Sequence, residues 1–170
     1  TVALAVNSPA VVQSNAGNVS LLSGGALTIA AGSTVRTNAP GGTIALTVNG
    51  TANVAGSALT AAGGVTITGG GGNDTFNLTP SANAKIAVDG GPGTDTLNLK
   101  VAAAAVNHVG NKFVIAGFKD VTYANVEQIE LITASTATVF GTDAKDTLVV
   151  SRTSPTTIQY VLNGGVPVSS

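Results

Sequence analysis

Two stretches of this chain place glycines and an aspartate at a spacing suited to holding a cation. Residues 69–77 read Gly-Gly-Gly-Gly-Asn-Asp-Thr-Phe-Asn, and residues 90–98 read Gly-Gly-Pro-Gly-Thr-Asp-Thr-Leu-Asn. A worn copy at 141–149 keeps Gly141, Asp146 and Leu148 but loses the inner glycines and carries Lys145. Glycine tolerates positive φ, so carbonyl oxygens can be turned toward one point. An aspartate two residues ahead of an inward apolar residue lies on the same side of its strand. Ca²⁺ takes six to eight oxygens at about 2.3–2.6 Å and accepts a mixture of carbonyls and carboxylates. The candidate ligands are therefore Gly69, Gly70, Gly72 and Asp74 in the first turn. Asp89, Gly90, Gly91, Gly93 and Asp95 belong to the second, and Asp143 and Asp146 to the third. The same residues also suit plain turns whose aspartates cap local backbone N–H groups. Both readings stand at this point.

A turn of this kind needs strands to hold it, and the chain supplies many. Period-two alternation runs through "TIALTV" 43–48, "VTIT" 65–68, "DTFNL" 74–78, "KIAV" 85–88 and "DTLNL" 95–99, each bounded by Gly, Asn or Pro. Such runs read as short strands separated by turns. Helical patterning is nearly missing; the best window, 122–132, gives no clean apolar stripe. Strands ending before a glycine turn recur with Ile29, Val48, Ile67 and Val88 at equivalent places, 19 to 21 residues apart. That step is about one coil of a β-solenoid. A single coil cannot bury its own inward row, so the next coil must stack on it, roughly 4.8 Å further on. The expected inward files are Ile29, Val48, Ile67 and Val88, and beside them Val35, Val54, Phe76 and Leu97.

Composition agrees with a thin, regular interior. Hydrophobic residues make up 44% of the 170 residues but aromatics only 4%, so the core must be built from Ala, Val, Leu and Ile. The fold class expected is all-β: a right-handed parallel β-helix with coils of about 19–21 residues, forming a single domain over 1–170. Regular coils occupy 1–100, an elaborated coil or hairpin 101–133, and terminal coils 134–170.

The glycine–aspartate turns resemble the RTX (haemolysin-type) calcium-binding repeats, whose nonapeptide is Gly-Gly-x-Gly-x-Asp-x-apolar-x. The resemblance is close over 69–77 and 90–98. RTX nonapeptides follow one another directly, however, whereas these copies are separated by an extra strand. The segment "GNVSLLSGGALTIAAGSTVRTNAPGGTIALTVNG" resembles filamentous-haemagglutinin-type β-helices. The run from "VTITGGGGNDTFNL" through "ANVEQIEL" to "GTDAKDTLVV" resembles modules of very long secreted proteins of planctomycetes. Together these resemblances imply a β-helix in a large bacterial secreted or surface protein, with Ca²⁺ as cofactor. They imply no single activity.

Charge and chemistry narrow the role. Net charge is −1 with no basic run, which argues against nucleic acid and anionic membrane surfaces as partners. No apolar run approaches the roughly 20 residues of a spanning helix. Cysteine is absent, which removes disulfides and thiol chemistry. Thr1 reads as a processed terminus or a cut within a longer protein. His108 is the sole histidine, and no serine sits in a nucleophile elbow, so catalysis is not expected. The leading expectation is a non-catalytic structural protein, extracellular or at the cell surface, stabilised by Ca²⁺ and assembling with itself or with neighbouring repeats. Two alternatives are a carbohydrate-binding or carbohydrate-degrading β-helix, using Tyr123, Phe118 and Glu127 to meet a glycan, and an adhesin that grips a protein receptor through 101–133.

Overall fold

The computed structural model describes residues 2–102, 105–133, 137–140, 148–154, 157–162 and 168–169. The chain is an all-β solenoid whose strands stack in parallel, coil on coil. The first coil carries β1 (Leu4–Val6), β2 (Val11–Ser14) and β3 (Val19–Ser23). The second repeats this with β4 (Leu27–Ile29), β5 (Thr34–Thr37) and β6 (Ile44–Val48). The third has β7 (Thr51–Val54), a 3₁₀ turn at Gly56–Ala58, β8 (Leu59–Thr60) and β9 (Val65–Thr68). The fourth keeps two strands, β10 (Thr75–Leu78) and β11 (Ile86–Asp89). The coils thus have three sides at first, and the side made by β2, β5 and β8 ends with β8. Ser81 continues that side without a strand: fully buried, it donates its hydroxyl to the Leu59 carbonyl at 3.1 Å.

The rhythm changes after β12 (Thr96–Val101). Strands β13 (Val106–Val109) and β14 (Lys112–Ile115) form an antiparallel hairpin. β14 then pairs antiparallel with β15 (Val121–Ala124), which itself lies parallel on β11. Next, β16 (Gln128–Thr133) extends the sheet of β12 in parallel, and β17 (Ala137–Phe140) closes it in the antiparallel sense. Over 134–170, where the sequence reading places terminal coils, β18 (Leu148–Ser154), β19 (Thr157–Leu162) and β20 (Val168–Ser169) pair antiparallel in a sheet of their own.

Stacking creates the core. One file runs through Leu27, Ala52, Phe76, Leu97 and Ile129; another through Ile29, Val54, Leu78, Leu99 and Leu131. Across from them stand Ile44, Val65, Ile86 and Val121, with Leu46, Ile67 and Val88 alongside. All are buried. Phe76 sits directly over Ala52, so a large ring and a methyl group share the space that two medium side chains would fill. Outward positions carry polar ladders. Asn98 donates its amide to Asn77 Oδ1 at 2.8 Å, and Asn77 to Asn53 Oδ1 at 2.9 Å.

The coil step and the files differ from those expected. Equivalent residues on successive coils are 23, 25, 24 and 21 residues apart, and 32 where the hairpin intervenes. The expected step runs between strands that end before a glycine turn, and those strands do not all lie on the same side of the solenoid. Ile29 and Val48 consequently belong to different sheets. Ile29 lies in register with Val54, while Val48 lies in register with Ser23. The pairs Ile67–Val88 and Phe76–Leu97 are stacked as expected.

Candidate metal-binding corner

The two glycine–aspartate turns occupy the same corner on adjacent coils. Gly69–Asp74 joins β9 to β10, and Gly90–Asp95 joins β11 to β12. Backbone bonds tie the turns together: Gly69 N–H to Asp89 O at 2.8 Å, Gly72 N–H to Pro92 O at 3.0 Å, and Thr96 N–H to Asp74 O at 2.9 Å. Parallel strands on both sides set this register, since Thr68 faces Asp89 and Thr75 faces Thr96. Gly72, Gly91 and Gly93 have φ of 100°, 88° and 155°, a region that side chains resist. Gly69 and Gly90 are needed for a different reason, which is close approach. A Cβ on Gly69 would overlap the Gly90 carbonyl oxygen and stand 2.7 Å from Asp74 Oδ2. A Cβ on Gly90 would overlap the Asn125 carbonyl oxygen and stand 2.6 Å from Asp95 Oδ2.

The carboxylates form a column that crosses coils. Asp74 Oδ1 accepts the Gly50 N–H of the coil before it. Asp95 Oδ1 accepts the Asp74 N–H at 2.7 Å, and Glu127 Oε2 accepts the Asp95 N–H, also at 2.7 Å. Each acidic side chain therefore caps the backbone of the preceding coil. The aspartates do cap backbone N–H groups, but not the local ones expected: Asp74 and Asp95 reach residues 24 and 21 positions away, and only Asp89 makes a local cap, to Gly91. The second oxygen tells another story. Asp74 is 1% exposed and Asp95 0%, and neither Oδ2 has a hydrogen-bond partner. Asp74 Oδ2 and the Gly90 carbonyl both border the space beside Gly69, and Asp95 Oδ2 and the Asn125 carbonyl both border the space beside Gly90. A buried carboxylate oxygen left without a donor or a cation is unfavourable.

Electrostatics point the same way. Burial pushes the Asp95 carboxyl above the usual aspartate range; the Asp74 N–H bond opposes this, and Asp74, Glu127 and Asp89 add repulsion. Among the described residues no lysine or arginine forms an ion pair with any of these four. Asp89 Oδ1 accepts the Gly91 N–H at 3.2 Å and the Asn125 side-chain amide at 2.7 Å, so it braces the corner from outside. No three His, Cys, Asp or Glu side chains among the described residues form a metal-binding group. The carboxylates are stacked rather than convergent, so a cation here would draw much of its shell from carbonyls.

Of the residues singled out in the sequence, Gly69, Gly70, Gly72, Asp74, Asp89, Gly90, Gly91, Gly93 and Asp95 come together in this corner. Asp143 and Asp146 lie outside the described residues. Asn125 and Glu127 were not among the expected ligands. Asn125 aligns with Gly90 by the pairing of Asp89 with Ala124, and Glu127 occupies the place of Asp74 and Asp95 in the column. Only the register reveals this, because the three residues of "NVE" replace the longer glycine turn.

The groups considered for glycan contact are spread out. The Tyr123 hydroxyl donates to Gly110 O at 3.3 Å and lies 2.7 Å from His108 Nε2, while Glu127 is held in the corner. Phe118 is 37% exposed. His108 stacks on Phe113, with ring centroids 4.6 Å apart, and on Tyr123 at 5.8 Å. No helix among the described residues is long and apolar enough to cross a membrane. Compared with models of known families, with curated proteins and with solved structures, the chain matches none.

Proposed function

We propose that this chain is a non-catalytic structural repeat protein of the bacterial cell surface or extracellular matrix, with Ca²⁺ stapling adjacent coils at the glycine–aspartate corner. The observation that carries the reading is the pair of buried, partnerless carboxylate oxygens, Asp74 Oδ2 and Asp95 Oδ2, each bordering a glycine that a carbonyl of the next coil also approaches. A hard divalent cation satisfies such oxygens and cancels the repulsion between stacked carboxylates. Asp74, Asp95 and the carbonyls of Gly90 and Asn125 are the groups that would hold it. The RTX-like sequence of both turns and the solenoid architecture support the same assignment.

A solenoid buries its core through its neighbours, so its role is mechanical: a stalk, a fibre subunit or one element of a layer. Further repeats or a second copy of the chain would complete the sheet edges. The test is thermal melting of the purified protein with excess Ca²⁺ and with chelator, alongside electron micrographs of both samples. A calcium-raised melting temperature supports the staple, and identical curves would remove the ion. Fibres or layers that disperse in chelator would tie the ion to assembly.

A further inference from the structure

We infer that the corner holds a column of two cations rather than one, with the upper ion between Asp95 and the Asn125–Glu127 turn. This rests on the calcium reading above and specifies its extent. The lower interval presents Asp74 Oδ2 and the Gly90 carbonyl to the space beside Gly69. The upper interval presents Asp95 Oδ2 and the Asn125 carbonyl to the space beside Gly90. The two arrangements are the same, one coil apart, although the third turn, Asn125-Val126-Glu127, shares no pattern with the glycine turns below it. Asp95 Oδ2 is as buried and as partnerless as Asp74 Oδ2, so both intervals carry the same unmet demand.

The third turn reaches this arrangement by substitution of parts. Asn125 has φ of 50°, the single described non-glycine residue with positive φ, which turns its carbonyl toward Gly90. Asn tolerates this region better than most side chains do. Its amide bond to Asp89 Oδ1 at 2.7 Å fixes that conformation. The turn is shorter than its counterparts, and the side chain is longer by one methylene. Glu127 Oε2 therefore reaches the Asp95 N–H at the same 2.7 Å as Asp95 Oδ1 reaches the Asp74 N–H. The upper interval thus has a carboxylate above and below, as the lower one does. Asp95, lying between the two, would serve both ions.

The experiment is a count of bound Ca²⁺ on the intact chain, by equilibrium dialysis and by native mass spectrometry, for the wild type and for Glu127→Gln. The glutamine keeps an oxygen for the Asp95 N–H, and far-UV circular dichroism checks that the fold is retained. Two ions in the wild type and one in E127Q support the inference. One ion in both proteins, or two in both, overturns it and leaves the lower site standing. No bound Ca²⁺ in the wild type overturns this inference and the calcium reading together. Asp95→Asn is the second variant: a column sharing Asp95 loses both ions, whereas loss of only one would show independent sites and refute the shared ligand.

Discussion

Asp95 accepts the backbone N–H of Asp74 through Oδ1 while its Oδ2 stays buried without a partner. One side chain therefore does two things at once. It caps the coil below, and it leaves a buried acceptor beside Gly90, which the Asn125 carbonyl of the coil above also approaches. The first role needs only a hydrogen bond. The second is met by a hydrogen-bond donor or by a cation, and the two roles can be separated by substitution. Asp95→Asn can keep the oxygen that caps Asp74 and places an amide donor against the Asn125 carbonyl. Without calcium, the variant should melt at or above the wild-type temperature; with excess calcium, the wild type should overtake it. Differential scanning calorimetry in the two buffers gives the comparison, and a variant that still gains from Ca²⁺ as the wild type does would exclude Asp95 as a ligand.

Gly90→Ala should destabilise the chain by about 1–3 kcal/mol, the usual range for forcing a methyl group into closed space. The new Cβ would collide with the Asn125 carbonyl and crowd Asp95. Gly71→Ala is the control, since a Cβ there meets nothing within 4 Å. Urea unfolding followed by circular dichroism should shift its midpoint for the first variant and leave it nearly in place for the second.

Phe76→Ala should cost about 3–5 kcal/mol, the range for emptying a buried aromatic site. Its position over Ala52 makes the upper end of that range the expectation, because the residue below is too small to swell into the gap. The same urea titration measures it. A loss under 1 kcal/mol would contradict the stacked register of β7 and β10.

Acid should loosen the hairpin before it affects the regular coils. Burial lowers the His108 pKa below 6.5, its ordinary value. The unfolded chain then binds a proton more readily than the folded one, so this contribution is present above about pH 6.5 and is lost as pH falls through the depressed folded value. Hydrogen exchange at Phe113 and Ile115 should accelerate as pH is lowered through that window, after correction for intrinsic rates. His108→Gln should flatten the effect.

Much of the architecture was legible in the sequence because one physical rule generates it. Alternating apolar residues, punctuated by glycine at a regular step, leave stacking as the way to bury an inward row of small side chains. The partnership of 69–74 with 90–95 followed from that step. What could not be read was the length of the early coils. The strand Thr34–Thr37 looks no different from any other alternating run, and nothing local says that it forms a third side. Ile29 and Val48 were consequently aligned although they lie in different sheets. Glu127 escaped for a related reason: a turn that swaps four glycines for an αL asparagine and a longer acid keeps the geometry while discarding the spelling.

The two ends of the stack are chemically unequal. At one end β1, β2 and β3 are each the outermost strand of a parallel sheet. At the other, β17 and the β13–β14 hairpin run against the grain of the strands they cover. A strand added in parallel past Leu4, Val11 or Val19 would meet peptide groups that already run in its direction. Among the described strands the stack therefore carries a parallel edge on one side and antiparallel edges on the other, and its two faces offer a neighbour opposite hydrogen-bonding patterns.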